Sequence, residues 1–370
     1  MILKIAVLAG DGIGPEVTHE AVKVLKAVAS RYGHRFDFAE ALLGACAIDE
    51  YNEALPATTL QICREADAVL LGAVGHPKYD NNPDAPIRPE QGLLAIRKAL
   101  HLFANIRPIT IYDKLIPQSP LKADRIAGVD IAIYRELTGG IYFGEKFLSD
   151  DKTVATDVCS YSVKEIEQIS HMAFKAAQNR RKKVTLVDKA NVLETSRLWR
   201  RVVTEIAKEY PDVALDFLFV DNAAMQLILN PKQFDVMLTE NMFGDILSDE
   251  ASVIGGSIGL AASASVGNEY SLFEPIHGSY PAATGKGIAN PVASILSAAL
   301  LLEHFDLYEE AAAIKNAVAV SIEQDFCTPD IDPDSTYSTG DIGDFIESLI
   351  LGNEIFTNSS NMSIGKSTII

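Results

Sequence analysis

The chain has 370 residues, which is enough for about two domains of ordinary size and for a large buried core. Hydrophobic residues make up 48% of it and charged residues 22%, the usual range of globular proteins, so extensive disorder is excluded. The formal net charge of −18 repels phosphate backbones and argues against a general nucleic-acid-binding function.

Short apolar runs alternate with helical patterns along the chain. Strands are predicted at residues 5–9, 68–71, 130–134, 184–187, 217–220 and 234–238, and helices at 16–30, 93–100 and 291–305. The stretch 253–267 is rich in Gly, Ala and Ser, which indicates tight packing or a loop close to a ligand. This alternation predicts an α/β protein with a largely parallel central sheet and ligands at the carboxyl ends of the strands.

Nothing in the sequence is typical of a membrane protein or an exported one. There is no run of 18 apolar residues, and the first residues enter a strand pattern without the basic and apolar regions of a signal peptide. The four cysteines are scattered without the spacing of a disulfide framework or a zinc site. We therefore expect a cytoplasmic protein.

The glycines that follow the first strand invite a comparison with dinucleotide-binding loops. Gly10, Gly12 and Gly14 are spaced as the first glycines of such a loop would be, but Pro15 stands where the Rossmann fingerprint needs its third glycine. We predict instead a turn and a helix start, with Pro15 near the first helical turn.

Two carboxylates four residues apart, Asp245 and Asp249, would share one face of a helix. Like charges there repel unless a cation lies between them, and carboxylate oxygens suit Mg²⁺ or Mn²⁺. Asp221, just after the predicted strand 217–220, is a possible third ligand. The alternative is a helix with two solvated acids.

Three arginines adjoin apolar elements: Arg97, Arg107 and Arg135. A guanidinium binds a carboxylate through two hydrogen bonds, so the set suits a ligand with more than one carboxylate. The alternative is that they pair with some of the 50 acidic residues at the surface.

Lys189 and Tyr142 form a possible acid–base pair for alcohol oxidation. Such a lysine must lose its proton, which a nearby divalent cation would favour. The alternative is a surface lysine and a packing tyrosine. No Walker or Gly-x-Ser-x-Gly motif is present, which argues against nucleotide triphosphatases and serine hydrolases.

Long segments of the chain, taken together, resemble the isopropylmalate dehydrogenase branch of the isocitrate/isopropylmalate dehydrogenase family. The resemblance runs from about residue 5 to about residue 352. Its motifs are 8–16 (LAGDGIGPE), 135–144 (RELTGGIYFG), 187–192 (VDKANV), 241–250 (NMFGDILSDE), 274–279 (EPIHGS) and 287–291 (GIANP). It implies the family's two-domain fold, which is not a Rossmann fold.

The resemblance also implies a substrate. Within 88–97, Leu93 and Leu94 would form an apolar wall for the branched substituent of 3-isopropylmalate, where the isocitrate branch has a polar residue. D-Malate, tartrate and homoisocitrate remain alternative substrates. A non-catalytic binding protein of the same fold is a further alternative.

The roles of the site residues follow from the resemblance. Arg97, Arg107 and Arg135 would hold the malate carboxylates, and Tyr142 would supply a proton to the enolate. Lys189 would take the hydroxyl proton. Further residues on the substrate would be Asp221, Leu93, Leu94 and Val192.

The resemblance also implies a metal site that two subunits share. Asp245 and Asp249 would bind Mg²⁺ or Mn²⁺ together with Asp221 of a partner subunit, which would also contribute Lys189. The resemblance therefore implies a homodimer with shared active sites, acting on a small-molecule substrate in leucine biosynthesis.

NAD is the implied dinucleotide. Its contacts would be Glu90, Glu274, His277, Gly278, Ser279 and Asn290. Ala282 stands where the family often carries an aspartate that binds the adenosine ribose, yet no basic residue at that position favours NADP. The predicted cofactor domain is 1–104 with 256–357, the predicted metal and dimer domain is 105–255, and 358–370 is predicted to be a mobile tail.

Overall fold

The computed structural model describes residues 1–82 and 85–352, and the predicted tail 358–370 lies outside them. The chain folds into two compact units. The first joins Met1–His101 to the segment that begins at Gly256, and the second is Leu102–Gly255. Among the helices of the described residues, none is long and apolar enough to cross a membrane.

The secondary structure alternates as the sequence predicts. The strands are β1 (Ile2–Gly10), β2 (Arg35–Glu40), β3 (Ala68–Ala73), β4 (Ala104–Thr110), β5 (Asp130–Glu136), β6 (Lys146–Leu148), β7 (Ala155–Asp157), β8 (Lys183–Asp188), β9 (Ala214–Phe219), β10 (Val236–Thr239), β11 (Ala262–Val266) and β12 (Ser271–Pro275). The helices are α1 (Gly14–Tyr32), α2 (Ala45–Tyr51), α3 (Ala57–Glu65), α4 (Pro77–Asp80), α5 (Pro89–Ala99), α6 (Ala123–Ile126), α7 (Val163–Gln178), α8 (Glu194–Ala207), α9 (Val220–Leu229), α10 (Asn241–Ile254), α11 (Val292–His304), α12 (Tyr308–Glu323) and α13 (Thr339–Leu351).

The first unit is built on strands in the order β2-β1-β3-β12-β11. Its pairs are parallel except β11 with β12. The strand β3 is buried along its whole length, as expected when both faces of a parallel sheet are covered. Helix α1 packs on α11 and α13 and buries Val17, Val24 and Leu25, each worth about 1.5–3 kcal/mol of hydrophobic stabilisation.

The glycine-rich loop after β1 is a turn into α1, so that prediction is confirmed. Helix α1 begins at Gly14 with proline in its first turn. The Asp11 carboxylate accepts hydrogen bonds from the amides of Ala45, Cys46 and Gly75 at 2.8–2.9 Å. The loop therefore binds its own neighbouring backbone, which agrees with the absence of the Rossmann fingerprint.

The second unit has strands in the order β4-β5-β10-β8-β9, all parallel except β4 with β5. Its core includes Ile133, Phe234, Met237 and Leu247. Strands β6 and β7 form a separate two-stranded arm. The α/β class and the largely parallel pairing are as predicted.

Some elements differ from the sequence prediction. Strand β4 was not predicted, because Pro108 interrupts its apolar pattern, yet the strand pairs antiparallel with β5. The Gly/Ala/Ser-rich stretch contains the buried strand β11, so its small residues serve packing. Val220, predicted to end a strand, begins α9 instead.

Candidate active site

Helix α10 carries Asp245 and Asp249 on one face, as their spacing predicts. It follows β10 directly, so its first turn lies at the carboxyl end of that strand. The two side chains are 35% and 55% exposed, which leaves carboxylate oxygens accessible. The acidic pair thus lies at the edge of the sheet where ligands bind in α/β proteins.

Arg107 reaches this pair from β4. Its Nη1 donates to Ser248 Oγ at 2.6 Å and to Asp249 Oδ1 at 3.1 Å, and its Nη2 lies 3.5 Å from Asp245 Oδ1. Its Nε donates to Asn105 Oδ1 at 2.7 Å. The buried guanidinium is therefore held from two sides and faces both carboxylates.

Arg135 reaches the same pair from β5. The β4–β5 register places Asn105 opposite Arg135, so Arg107 lies on the same face of the sheet two residues further on. Arg135 Nη1 donates to Asp245 Oδ1. A Cβ atom on Gly244 would lie 2.6 Å from Arg135 Cγ, so glycine is needed for the helix to pass this side chain.

Tyr142 completes this cluster. Its hydroxyl donates to Asp245 Oδ2 at 2.9 Å, and the Arg135 guanidinium lies 5.7 Å from its ring centre. Burial and the Asp245 carboxylate raise the pKa of Tyr142 above its ordinary value. The phenol is thus protonated at neutral pH and suited to donate a proton.

The acidic pair fits a hard divalent cation by its donor chemistry. Burial and the Asp245 charge raise the pKa of Asp249, while the Arg107 guanidinium opposes that shift. A cation between the two carboxylates would relieve their repulsion. Among the described residues no three His, Cys, Asp or Glu side chains form a metal-binding group, so Asp221 does not join this pair.

Lys189 and Asp221 form a second cluster in the same unit. They follow the parallel strands β8 and β9, so both lie at the carboxyl edge of the sheet. Lys189 Nζ donates to Asp221 Oδ1 at 2.5 Å, which lowers the pKa of this exposed carboxyl. Val192, three residues after Lys189, is 60% exposed.

The remaining predicted arginine, Arg97, lies in the first unit, on α5. Its Nη2 donates to Glu274 Oε1 on β12 at 2.7 Å, and both side chains are buried. Its Nε has no hydrogen-bond partner among the described residues. Leu93 and Leu94 on the same helix are partly buried, and Glu90 in its first turn is exposed.

The predicted cofactor loop of the first unit follows β12. The amide of Ile13 donates to Ser279 O at 2.8 Å, which ties this loop to the glycine-rich turn. Burial lowers the pKa of His277, whose Nε2 is buried without a partner among the described residues. Asn290 accepts from the amide of Val292 at 3.0 Å. A neutral imidazole with a free nitrogen fits a polar ligand such as a dinucleotide.

Two neighbours of this loop bear on the same ligand. Gly278 is exposed, and a Cβ atom there would meet nothing within 4 Å, so the backbone is open to a ligand. Ala282 is exposed in a short turn, Pro281–Ala283, and brings no polar side chain to it.

The sequence reasoning missed several side chains that support these clusters: Asn105, Tyr161, Asn241 and Ser248. Asn105 would have followed from Arg107 only if strand β4 had been predicted, because residues two apart on a strand share a face. Tyr161 and Asn241 give no such signal, since their contacts join distant segments.

The buried carboxylate of Glu240, at the start of α10, gives a pH prediction. Burial and the charges of Asp188 and Glu136 raise its pKa to about 7. The neutral form of Glu240 contributes stability to the fold. This stability is fully present below pH 4.5, the ordinary pKa of a glutamate, and is lost as the pH rises to about 7. We expect Glu240→Gln to stabilise the fold at pH 8 by about 2–3 kcal/mol, but not at pH 4.5.

Urea unfolding at both pH values, at one protein concentration, measures this difference. Glu205→Gln, at an exposed position that pairs with Lys208, is the matched control and should show no pH-dependent gain in the free energy of unfolding. Equal effects of Glu240→Gln at both pH values would contradict the prediction.

Comparison with known proteins covers nearly the whole chain. Residues 4–346 match the family described as isocitrate/isopropylmalate dehydrogenase. A 3-isopropylmalate dehydrogenase of Bacteroides fragilis (strain YCH46) is 52% identical over 94% of this chain and 98% of its own length. One from Priestia megaterium (strain DSM 319 / IMG 1521) is 56% identical over 90% of this chain and 91% of its own.

Solved structures agree with the fold. A crystal structure of isocitrate dehydrogenase from Methylococcus capsulatus has a TM-score of 0.86 and 35% identity, covering 94% of this chain and 99% of that one. A β-decarboxylating dehydrogenase from Thermococcus kodakarensis, in its apo form, has a TM-score of 0.77 and 35% identity over 96% and 100% of the two chains.

Proposed function

Because the chain belongs to the isocitrate/isopropylmalate dehydrogenase family, we propose that it oxidises and decarboxylates 3-isopropylmalate. The products are 4-methyl-2-oxopentanoate and CO₂, in a step of leucine biosynthesis. The observation that carries this proposal is the convergence of Arg107, Arg135 and Tyr142 on Asp245. Two cations and a proton donor around one carboxylate suit a substrate that is a dicarboxylic hydroxy acid.

Membership of this family implies a dinucleotide and a metal cofactor. We propose NAD, held in the first unit by Glu90, Glu274 and the loop of His277, Gly278 and Ser279, with Asn290. We propose Mg²⁺ or Mn²⁺ on Asp245 and Asp249. When bound, these groups supply a hydride acceptor and positive charge for a developing oxyanion.

The chain's own residues bind and orient the substrate. In this proposal the buried Arg97, Arg107 and Arg135 hold the two carboxylates, because a planar guanidinium can donate two parallel hydrogen bonds to one carboxylate. Leu93 and Leu94 lie on the helix that carries Arg97 and would pack on the branched substituent, with Val192 of the partner subunit. An apolar contact of this kind favours 3-isopropylmalate over smaller or more polar acids.

The proton transfers are assigned to Lys189 and Tyr142. Lys189 of the partner subunit, once its amine has lost its proton, would take the proton of the substrate hydroxyl. After CO₂ departs, Tyr142 would donate its phenolic proton to the carbon of the enolate. The raised pKa of Tyr142 keeps the phenol protonated until that step. The hydrogen bond that Asp245 accepts from that phenol holds the hydroxyl beside the arginines that would bind the substrate.

We propose a homodimer whose active sites are shared, with Asp221 and Lys189 contributed by the partner subunit. In one chain Lys189 pairs with Asp221 and not with Asp245, which supports the proposal that a second copy brings these residues together. The second unit also exposes apolar side chains suited to burial against a partner. These are Phe147, Leu148, Met225, Leu229, Ile246 and Val253, each more than half exposed.

Mixing two inactive variants tests the shared site. Lys189→Ala and Asp245→Asn chains, refolded together in equal amounts, should regain about a quarter of wild-type activity. Half of the dimers would be hybrids, and each hybrid would hold one intact site and one doubly altered site. Activity of the mixture no higher than that of the separate variants, in dimers shown by mass spectrometry to be hybrids, would contradict sharing.

A substrate panel tests the proposed function. NADH formation at 340 nm is followed with Mg²⁺, NAD and 3-isopropylmalate, beside D-malate, tartrate, homoisocitrate and isocitrate, and with NADP in place of NAD. We expect the highest kcat/KM with 3-isopropylmalate and NAD. Preference for another acid would reject the proposed role of Leu93 and Leu94 in substrate choice. Turnover only with NADP would indicate that Ala282 accompanies a change of cofactor preference from NAD to NADP. Binding of Mg²⁺ without turnover of any acid would favour the non-catalytic alternative.

We place this activity in the cytoplasm. The proposal is supported by the four cysteines, all within the described residues, none of which forms a disulfide.

A further inference from the structure

Asn241 is a buried residue that holds Arg135, one of the side chains around Asp245. It is the first residue of α10 and is 1% exposed. Its backbone oxygen accepts from Arg135 Nε at 2.9 Å, and its Oδ1 accepts from Arg135 Nη2 at 2.8 Å and Nε at 3.2 Å. Asn241 therefore presents two acceptor oxygens to one edge of the guanidinium.

The donors of Asn241 point to a different segment. Its Nδ2 donates to Gly139 O at 3.3 Å, and its amide donates to the hydroxyl of Tyr161 at 2.9 Å. Gly139 lies in the turn that leads to Tyr142, three residues later. One side chain thus joins the arginine on β5, the start of α10 and the turn that carries the proposed proton donor.

The turn around Gly139 is braced from its other side as well. A Cβ atom on Gly140 would lie 2.2 Å from the hydroxyl of Tyr161, so the turn packs directly on that ring. The Tyr161 ring in turn packs edge-on against Trp199, with ring centres 5.5 Å apart. The Glu136 carboxylate accepts from the amides of Thr138 and Gly139. Asn241 is the link between this braced turn and Arg135.

We propose that Asn241 is a positioning residue for the reaction: it fixes the rotation of the Arg135 guanidinium and the place of the turn that carries Tyr142. An unrestrained arginine has many rotamers, and holding it in one before substrate binds lowers the entropy lost on binding. With Nε and Nη2 held by Asn241, Nη1 faces Asp245. The inference rests on the proposed function, since it assigns Arg135 to a substrate carboxylate.

The kinetic test is a double-mutant cycle in the full-length enzyme. Asn241→Ala should raise KM for 3-isopropylmalate about tenfold to a hundredfold, the usual range for losing hydrogen bonds to a charged group. In an Arg135→Lys background, Asn241→Ala should raise KM by less than about a further twofold, because the guanidinium that Asn241 holds is already absent. Additive effects on KM, as a merely structural role would give, would overturn the proposal.

Conservative replacement separates positioning from general damage. Asn241→Asp keeps the backbone and side-chain acceptor oxygens for Arg135 but loses the Nδ2 donor to Gly139 O, so it isolates the contact with Arg135. We expect it to reverse most of the rise in KM caused by Asn241→Ala. Asn179 is an exposed asparagine of the same unit, so Asn179→Ala is the matched control and should leave KM unchanged. An Asp variant as impaired as the Ala variant would count against the proposal.

A readout independent of turnover keeps the two proposals distinguishable. In enzyme labelled with ¹⁵N at arginine Nη, the Arg135 Nη2–H signal, assigned by its loss in Arg135→Lys, should be sharp in the wild type and in Asn179→Ala. It should broaden by exchange with water in Asn241→Ala, because Nη2 loses its acceptor Oδ1, whereas Nε keeps the backbone oxygen of residue 241. An unchanged signal would overturn the positioning role, whereas a wild type that fails to oxidise 3-isopropylmalate would reject only the proposed function.

Discussion

Replacing Asp245 with asparagine should abolish nearly all turnover, lowering kcat/KM by about 10³-fold or more. The substitution removes one negative charge from the proposed metal site and weakens the carboxylate that Arg135 and Tyr142 both contact. Asparagine is nearly the same size and keeps one acceptor oxygen, so the fold should persist. Steady-state kinetics at saturating Mn²⁺ measure the loss.

Two further measurements separate the metal role from general damage. Binding of Mn²⁺, followed by electron paramagnetic resonance, should weaken in Asp245→Asn, while the circular dichroism spectrum and the native mass stay those of the wild type. Asp212→Asn is the matched control: Asp212 is a partly exposed acid of the same unit that pairs with Lys182, and its loss should leave kcat/KM unchanged. Wild-type Mn²⁺ affinity in Asp245→Asn would contradict the assigned metal site.

Replacing Lys189 with methionine should lower kcat by about 10²–10⁴-fold, the range expected when a general base is lost. Methionine keeps the length of the stem but has no group that takes a proton. The lysine is partly exposed and forms its ion pair with the exposed Asp221, so the fold should not depend on it. The Kd for 3-isopropylmalate, measured by calorimetry in the presence of Mg²⁺, should change much less than kcat.

Lys208→Met is the matched control, because Lys208 is an exposed lysine of the same unit that pairs with Glu205, and this variant should keep the wild-type kcat. A Lys189→Met enzyme with the wild-type kcat would show that another group takes the proton.

The parts of the fold that local pattern determines were predicted from the sequence. The four-residue spacing of Asp245 and Asp249 placed both on one face of a helix, and α10 has them there. Pro15 in place of a glycine excluded a Rossmann loop, and the loop binds its own backbone through Asp11 instead. Such features depend on neighbours within a few residues, which the sequence displays directly.

Features that depend on distant segments could not be predicted in this way. Arg97 and Glu274 are 177 residues apart, and their pairing depends on how α5 meets β12. Asn241 is indistinguishable in the sequence from any other first residue of a helix, since its contacts to Arg135 and Gly139 span more than 100 residues. Strand β4 was missed because Pro108 obscures its pattern, although the antiparallel partner β5 accommodates it.

The most direct test of the proposed reaction is the balance of its products. Purified enzyme with Mg²⁺, limiting 3-isopropylmalate and excess NAD is taken to completion, and NADH, CO₂ and 4-methyl-2-oxopentanoate are quantified together. Equal amounts of all three are expected, since in the proposed reaction oxidation and loss of the carboxylate occur in one site. NADH formed without an equal amount of CO₂, or no turnover by folded enzyme that binds Mn²⁺, would contradict the proposed reaction.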